Sequence, residues 1–531
     1  MYSMMDGTYS EAHEYEKIKV PALAFFAIGY QKDVDRAETL PGPERQEVLE
    51  FLKTQRKYHD QEVEHFRREI PNGRVIVFTN AVHTFAFDRD DEVLRETREF
   101  LAARDSVAAE EPEPVLTDAA LRQILEERIK ARKAVGIVVG RLQGTNRSVV
   151  AAGTMALNSS RPVDGNTVFE IGSVTKVFTG TLLADMANHG EVQPDDPVSK
   201  YLPPALRMPS RNGKVITLAH LASHHSGLPR EIGNRPPGES KPSPAYSPEL
   251  VFEFLSGYEL PRDPGSAYEY SNLGMGLLGD SISRRAGATY EQLVLDRICK
   301  PLGLNDTRIK FSEDMQSRFP IGYDHDLKPA KGFERLSLAG VGGLRSTAND
   351  FLKFLAAVLN PADDRLSKAI RASQVVRTTL GAGREVAWGW HFNTVSDEII
   401  THSGLTSGFH TFMGVNRKRN RAVVIFSNSS HYTYNIGMRL LDPLGQPDES
   451  TLERYVGTYE VTPIFAVTVS REKYDMYART TGDSGASELY SSGRDQFYGA
   501  GFSLSFKTNT SGAASELILR IQDKEHRAIR K

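Results

Sequence analysis

Apolar residues recur every three to four positions in the stretch that follows Ser173. This spacing is typical of a helix that buries one side. Gly190 stands where such a helix is expected to stop. The pattern therefore predicts a helix that begins at Ser173 and buries a single stripe, made of Val177, Phe178, Leu182, Leu183 and Met186.

Apolar and polar residues alternate instead after about Leu452, as in Ala466-Val-Thr-Val-Ser and Phe502-Ser-Leu-Ser-Phe. Alternating segments between glycine and serine turns predict an all-β region. Further upstream, the stretch from Glu398 to Asn428 predicts two antiparallel strands joined by the polar hairpin Arg417-Lys-Arg-Asn.

The first hundred residues combine two strand-like segments with a highly charged helical stretch from Glu44 to Glu69. An acidic, proline-bearing linker follows, and such a composition favours a solvated connection. The sequence thus predicts four parts: an incomplete α/β segment at 1–104, a linker at 105–115, a long mixed region at 116–447 and a β domain at 450–531.

Composition argues against several classes of function. The 531 residues carry a net charge of −3, which leaves no broad basic surface for nucleic acid. The one cysteine, Cys299, excludes an internal disulfide and a cysteine-based zinc cluster. His220 and His224 are spaced as two metal ligands could be, but no third ligand is evident, so we expect no metal and no cofactor.

Membrane and export signals are also missing from the pattern. No uninterrupted apolar stretch approaches the roughly 18 residues of a membrane span. The first residues show neither the cationic start nor the apolar run of a signal peptide. We expect no integral membrane segment, and the compartment stays open.

Ser173-Val-Thr-Lys176 is the first candidate for chemistry. Residues three apart share one face of a helix, so the lysine can reach the serine hydroxyl. Unpaired backbone N–H groups at the helix start can also face a developing oxyanion. The same pattern at Ser470-Arg-Glu-Lys473 lies among alternating residues, which predicts a solvated strand end or turn.

Tyr270-Ser-Asn272 is the second candidate. It follows a turn at Pro264-Gly265 and precedes an apolar, helix-like run. The pKa of tyrosine is about 10 in isolation, and a neighbouring ammonium lowers it. Tyr270 and Lys176 could therefore share one proton near neutral pH.

His-Ser-Gly occurs twice. His402-Ser403-Gly404 lies in a predicted strand, whose edge can present backbone groups to a peptide-like substrate. His225-Ser226-Gly227 lies where a helix end runs into a loop. We interpret the histidines there as structural, although His224 and His225 could touch the rim of a site.

These three elements, in this order, resemble the class C β-lactamase and penicillin-binding-protein superfamily. The resemblance covers roughly Leu116 to Pro447, and the stretch from His224 to Ile232 looks most like the D-alanyl-D-alanine carboxypeptidase/endopeptidase branch. It implies an α+β fold, an antiparallel sheet flanked by helices with an all-helical subdomain. Further landmarks are Phe169-Glu-Ile-Gly, Asp196-Pro-Val-Ser-Lys-Tyr-Leu-Pro, Pro301-Leu-Gly-Leu-Asn-Asp-Thr and Gly342-Gly-Leu-Arg-Ser-Thr-Ala-Asn-Asp.

The resemblance also implies a role for each residue. Ser173 would attack a carbonyl, while Lys176 and Tyr270 would shuttle protons. Asn272 would hydrogen-bond the substrate amide or Lys176. The backbone N–H groups of Ser173 and Leu405 would hold the oxyanion.

One departure from the family bears on the substrate. His402 replaces the lysine usual in β-lactamases and weakens the positive charge available for a substrate carboxylate. This favours a D-amino-acid peptide or an ester over a β-lactam. The alternatives are an esterase or broad amidase, a weak β-lactamase, and a non-catalytic binding or sensor protein, and a homo-oligomer is left open.

The flanking parts carry resemblances of their own. Tyr455-Val-Gly-Thr-Tyr-Glu onward looks like a small lipocalin-like barrel, which could cover the active-site mouth, support oligomers or be a passive appendage. The first hundred residues look like the end of an α/β-hydrolase, with His83 as its histidine and Asp33 or Asp35 as its acid. Because the chain has no Gly-x-Ser-x-Gly elbow, we expect this segment to be catalytically empty.

Overall fold

The chain divides into two compact units, Met1–Glu113 and Pro114–Lys531, in a computed structural model. The structure describes residues 23–28, 30–69, 74–79, 93, 95–97, 99, 116–233, 248–330, 338–381, 384–393, 399–443, 445–483, 485–493, 495–499, 502–509, 512–521 and 524–531. The domain boundaries given above remain predictions.

The described residues of the first unit include a parallel strand pair and two helices. Strand β1 (Leu23–Ile28) pairs with β2 (Arg74–Thr79), and between them lie α1 (Tyr30–Ala37) and α2 (Gly42–Glu69). A parallel strand pair with helices between its strands is an α/β arrangement, and that the segment is incomplete remains a prediction. His83 and the side chain of Asp33 lie outside the described residues, and Asp35 is exposed on α1.

The second unit holds the remaining elements. Its helices are α3 (Asp118–Lys130), α4 (Thr175–Asn188), α5 (Leu218–Ala222), α6 (Pro248–Gly257), α7 (Asn272–Ala286), α8 (Tyr290–Val294), α9 (Lys300–Leu302), α10 (Glu313–Ser317), α11 (Ala348–Leu359), α12 (Arg365–Ser373), α13 (Tyr434–Leu441) and α14 (Glu449–Tyr455). Its main-sheet strands are β3 (Gly136–Gln143), β4 (Asn146–Gly153), β9 (Thr378–Gly381), β10 (Arg384–Val386), β11 (His391–Asn393), β12 (Ile399–Leu405), β13 (His410–Asn416) and β14 (Arg421–Ser427). Two short pairs join β5 (Phe169–Glu170) to β8 (Arg345–Ser346) and β6 (Ser210–Arg211) to β7 (Lys214–Val215).

The main sheet is antiparallel, in the order β4-β3-β14-β13-β12-β11-β10-β9. Both faces of its central strands are covered. In β14, Val424 and Phe426 belong to the large core beneath the helical region, while Val423 and Ile425 face α3 and α13. Because successive side chains point to opposite faces, a strand buried on both sides needs an uninterrupted apolar run.

The prediction of two strands around the second His-Ser-Gly is wrong. The structure has three strands, β12, β13 and β14, because a tight turn at Thr406–Phe409 divides the first half. Thr406-Ser407-Gly408 is a turn signal in the sequence, and the prediction overlooked it by treating Glu398–Asn416 as one strand. Gly408 packs against backbone, since a Cβ there would lie 2.7 Å from Gly322 Cα.

The helix after Ser173 also differs from the prediction. It begins at Thr175, behind a 3-10 turn at Gly172–Val174, and it ends at Asn188. Every residue from Thr175 to Met186 is buried, so the predicted single stripe is wrong. The helix is surrounded by core on all sides, which its threonines and Gly180 permit because small side chains allow close packing.

The C-terminal β region is a closed antiparallel barrel whose last strand pairs with its first. Alternate residues fill its interior. Val467 and Val469 are buried while Ser470 is exposed. The strands are β15 (Gly457–Thr462), β16 (Phe465–Glu472), β17 (Asp475–Thr480), β18 (Ser487–Gly493), β19 (Gln496–Gly499), β20 (Phe502–Thr508), β21 (Ala514–Ile521) and β22 (Lys524–Arg530).

A buried ion cluster joins the barrel to the sheet region. Asp475 at the start of β17 accepts hydrogen bonds from Arg128 at 2.8 Å and from Lys133 at 3.1 Å. Burial would raise the pKa of Asp475, but these two cations hold it below its usual range. Lys133 also donates to the Tyr477 hydroxyl at 2.6 Å. The barrel is therefore docked through specific polar contacts.

Candidate active site

Ser173 lies in the 3-10 turn that leads into α4. Gly172 before it has a φ of +50°, a left-handed conformation that glycine adopts without strain. The turn places the serine at the amino-terminal end of a helix, where backbone N–H groups lack partners within the helix. Such groups stabilise negative charge that develops on a substrate oxygen.

Lys176 lies in the first turn of α4 and is fully buried. Its Nζ donates to Ser173 Oγ at 2.8 Å and to the carbonyl oxygen of Val341 at 2.9 Å. The three-residue spacing thus brings amine and hydroxyl together, as predicted. A buried ammonium needs such partners because its desolvation is otherwise costly.

Tyr270 comes to the same hydroxyl from the loop before α7. Its own hydroxyl donates to Ser173 Oγ at 3.0 Å. The Lys176 Nζ lies 5.1 Å from the centroid of the Tyr270 ring. Ser173 Oγ is therefore within hydrogen-bond distance of both groups that could take its proton.

His224 packs against the ring of Tyr270. The two rings stack with centroids 4.5 Å apart, and His224 Nδ1 accepts a hydrogen bond from the N–H of Ser271 at 3.1 Å. Burial, and then the positive charge of Lys176, hold the pKa of His224 well below its usual range. A neutral ring in this position fixes the phenol without adding a competing charge.

Strand β12 runs beside the 3-10 turn that contains Ser173. A Cβ on Gly404 would lie 2.0 Å from the carbonyl oxygen of Ile171 and 2.9 Å from the backbone nitrogen of Ser173. A Cβ on Gly172 would lie 2.9 Å from the backbone nitrogen of Leu405. Glycine at both positions therefore lets the two backbone nitrogens of the expected oxyanion site come close together.

His402 is buried on β12 and is held in one tautomer. Its Nδ1–H donates to the carbonyl oxygen of Ser403 at 2.8 Å, which leaves Nε2 as an acceptor. The ring stacks on His391 with centroids 4.9 Å apart. Burial, and then the nearby charges of His391 and Lys176, keep the pKa of His402 well below its usual range, so it is neutral at pH 7.

Asn272 begins α7 on the other side of Tyr270. Its amide nitrogen donates to Glu231 at 2.7 Å, and among the described residues its buried Oδ1 has no hydrogen-bond partner. The exposed guanidinium of Arg230 lies 5.0 Å from the Tyr270 ring. Sequence reasoning had not assigned Arg230 or Glu231 to the site. The stretch His224–Ile232 was noticed only as a family landmark.

All eight residues singled out in the sequence lie in or beside one cavity of about 700 Å³. Ser173, Tyr270, Asn272, His402, Ser403 and Leu405 line it directly, while Lys176 and Gly404 lie behind this surface. Tyr432, from the segment before α13, completes the wall and was not predicted. Within the described part of the chain, no group of three His, Cys, Asp or Glu side chains could hold a metal ion.

Comparison with protein families agrees with this geometry. The family model described as Beta-lactamase matches residues 121–444, more than half of the chain. The chain belongs to the beta-lactamase family. A second model, a domain of unknown function called DUF3471, matches residues 441–529 of this family member.

Curated relatives point to the same family. The D-alanyl-D-alanine-carboxypeptidase/endopeptidase AmpH of Escherichia coli is 29% identical over 353 residues, which cover 62% of this chain and 90% of AmpH. A beta-lactamase of Yersinia enterocolitica is 30% identical over 232 residues, 42% of this chain and 55% of that protein. These relationships make the protein a serine hydrolase of the beta-lactamase family.

Solved structures extend the comparison to the fold. A beta-lactamase/D-alanine carboxypeptidase from Yersinia pestis has a TM-score of 0.52 and 26% identity, and the match covers 60% of this chain and 95% of that one. The octameric penicillin-binding protein homologue from Pyrococcus abyssi has a TM-score of 0.55 and 21% identity over 78% of this chain and 99% of its own. At that identity the second match speaks for the fold alone. No helix among the described residues is both long and apolar enough to span a membrane.

Proposed function

We propose that this beta-lactamase family member cleaves D-amino-acid peptides through an acyl-enzyme on Ser173. One observation carries the proposal. Ser173 Oγ lies 2.8 Å from the Lys176 amine and 3.0 Å from the Tyr270 hydroxyl, so both ends of a proton relay meet at the nucleophile. A serine hydroxyl is a weak nucleophile until an adjacent base takes its proton.

The reaction then follows from the geometry. Ser173 Oγ bonds to the substrate carbonyl carbon while its proton passes to the Lys176–Tyr270 pair. The backbone N–H groups of Ser173 and Leu405 stabilise the oxyanion. When the bond to the leaving group breaks, Tyr270 returns the proton to the departing amine. Water hydrolyses the acyl-enzyme by the reverse proton transfers and regenerates Ser173.

Three observations support a peptide substrate. AmpH, which is 29% identical to this chain over 353 residues, is a D-alanyl-D-alanine-carboxypeptidase/endopeptidase. The strand β12 and the buried Asn272 also offer backbone and amide groups that pair with a peptide bond. The unpaired Nε2 of His402 accepts a hydrogen bond from a substrate N–H.

An esterase is the second candidate. The observation that favours it is the neutral His402, which supplies no positive charge for the carboxylate that β-lactams and terminal D-alanine carry. An ester without a carboxylate would lose nothing at this position. The same observation argues against efficient β-lactamase activity.

Rates on three substrate types test the proposal. We expect the largest kcat/KM on a D-alanyl-D-alanine peptide, a smaller value on short acyl esters and the smallest on nitrocefin. Ser173→Ala should abolish all three activities. Faster turnover of esters than of any D-peptide would favour the esterase, while the absence of turnover and of labelling by β-lactams or fluorophosphonates would favour a binding protein.

A further inference from the structure

A groove of about 520 Å³ lies beside the catalytic cavity along strand β12. His391, His402 and Tyr432 line both spaces, so the groove and the cavity are immediate neighbours. Its far side is built from tyrosines. Two of them, Tyr490 and Tyr498, belong to the C-terminal barrel.

The barrel presents these two tyrosines on its outer surface. Tyr490 on β18 lies directly opposite Tyr498 on β19 in the strand pairing. Their neighbours Leu489 and Phe497 are buried in the barrel core. Because side chains alternate along a strand, the tyrosines face outward, toward the start of α13.

The tyrosines form one continuous aromatic wall. The Tyr490 ring centroid lies 5.4 Å from that of Tyr432 and 5.4 Å from that of Tyr434, both at steep angles. Tyr498 lies 5.9 Å from Tyr434. Such edge-to-face contacts hold the rings in fixed orientations.

A hydrogen bond aligns this wall with the sheet region. The side-chain nitrogen of Asn435, in α13, donates to the carbonyl oxygen of Leu489 at 3.1 Å. Together with the buried Arg128–Asp475 pair, it fixes β18 against the hydrolase sheet. The barrel tyrosines are therefore positioned relative to the nucleophile.

The charge of the groove excludes one kind of ligand. Among the described residues that line it, Glu385 carries the only formal charge at pH 7 and no lysine or arginine is present. A ligand carboxylate here would meet aromatic rings, the neutral His402 and a glutamate. The side chains that line the groove suit an uncharged aromatic ring better than a carboxylate.

The groove lies on the side of the leaving group. Tyr270, which returns the proton to the departing atom, has its ring centroid 6.5 Å from that of His391 at the groove entrance. Leu405, whose N–H holds the oxyanion, is at the opposite end of β12 from Thr401, which lines the groove. A leaving group protonated by Tyr270 thus extends toward the barrel.

We propose that the barrel tyrosines form a subsite for an aromatic leaving group that lacks a carboxylate. The inference rests on the proposed acyl-enzyme function and adds internal amides or esters with an aromatic leaving group to its substrates. In this step the Ser173 Oγ–carbon bond forms, the carbon–nitrogen or carbon–oxygen bond breaks, and the aromatic amine or alcohol leaves with one proton. The remaining acyl group no longer touches the groove.

A matched pair of esters tests the subsite. N-acetyl-D-alanine benzyl ester and N-acetyl-D-alanyl-D-lactate give the same acyl-enzyme, but only the first releases an aromatic group. We expect the benzyl ester to have the higher kcat/KM. Tyr490→Ala should lower that value about tenfold, the size of one lost aromatic contact, and should leave the lactate ester and the deacylation rate unchanged.

Three further variants complete the test. Tyr490→Phe keeps the ring and should keep the preference, Tyr498→Ala should reduce it, and Ile464→Ala, on an exposed barrel turn, should have no effect. An equal loss on both esters, a slower deacylation or an unchanged preference in Tyr490→Ala would overturn the subsite. If neither ester acylates Ser173, the proposed function itself fails and the subsite with it.

Discussion

The chain contains Ser-x-x-Lys twice, and the two copies occupy opposite environments. At Ser173 the pattern spans a 3-10 turn and the start of a buried helix, and Lys176 donates to the serine at 2.8 Å. At Ser470 it spans the end of β16, and Lys473 lies in the following turn with a φ of +53°. Lys473 there forms an ion pair with Glu127.

This contrast shows which structural conditions allow a Ser-x-x-Lys pattern to serve as a catalytic pair. A helix places residues three apart on one face, whereas a strand that ends in a turn does not. Burial matters as much, because a desolvated amine interacts more strongly with a hydroxyl than a hydrated one does. Secondary structure and burial therefore decide which serine can act as a nucleophile.

Loss of the serine hydroxyl should give the largest difference between the two copies. Ser173→Ala should lower kcat/KM by about four orders of magnitude or more, as removal of a nucleophile does in other serine hydrolases. Ser470→Ala should leave the rate unchanged. Hydrolysis rates of the two variants on one acyl ester measure the difference, and comparable losses would break the comparison.

The residual activity of Ser173→Ala also tests the amino-terminal segment. We expect it to contribute no turnover. If Ser173→Ala kept activity that disappeared with His83→Ala, the expectation that this segment is catalytically empty would be wrong.

Substitution of the two lysines, Lys176 and Lys473, should give the next largest difference in kcat. Lys176→Met keeps the length of the side chain but removes the proton acceptor, and we expect kcat to fall by about 10²- to 10⁴-fold. Lys473→Met removes an exposed ion pair and should leave kcat unchanged. Steady-state kinetics with circular dichroism as a folding control would check this, and similar losses in both variants would contradict it.

The two His-Ser-Gly copies can be compared by substituting their glycines, Gly404 and Gly227. Gly404→Ala should push β12 away from the 3-10 turn that contains Ser173 and lower kcat about 10- to 100-fold, since small misplacements of reacting groups are costly. Gly227 has a φ of +76°, and the nearest described atom to a Cβ there is the Arg262 carbonyl oxygen at 3.3 Å. Gly227→Ala should therefore lower the unfolding midpoint more than it lowers kcat.

The smallest expected effect concerns the barrel. Burial, and then the charge of Asp475, raise the pKa of Glu488 from 4.5 to about 7. Between these values the folded state holds a proton that the unfolded state has lost, so this group makes stability fall as pH rises through that window and adds no slope above about pH 7. Glu488→Gln should remove this loss, on the order of 1–3 kcal/mol. Denaturation at pH 5 and pH 8 would show the gap, and parallel profiles would refute it.

Local features of the site were predictable from the sequence. The Ser173–Lys176 spacing and the turn before Tyr270 depend on a few neighbouring residues. The alternating pattern predicted an all-β region, and only the family resemblance indicated a barrel. The contact between Tyr270 and Ser173 joins residues 97 positions apart, so only the order of the motifs indicated it. No spacing reveals such a long-range contact.

Other parts could not be predicted because they depend on tertiary packing. His224 stacks on Tyr270 from a loop that looks structural in sequence, and its φ of +62° has no sequence signal in a histidine. Tyr490 reaches the groove only because the barrel docks through Asp475 and Arg128. The turn at Thr406–Phe409, by contrast, has a local signal in Thr406-Ser407-Gly408 that the prediction overlooked.

Mass mapping of the acyl-enzyme tests the central claim most directly. The wild-type protein, Ser173→Ala and Ser470→Ala would each be incubated with a slowly deacylated β-lactam, and intact mass and peptide mapping would locate the adduct. We predict one adduct in the wild-type protein and in Ser470→Ala, mapped to Ser173, and none in Ser173→Ala. An adduct on Ser470, or one that persists in Ser173→Ala, would contradict the claim that helix geometry and burial select the nucleophile.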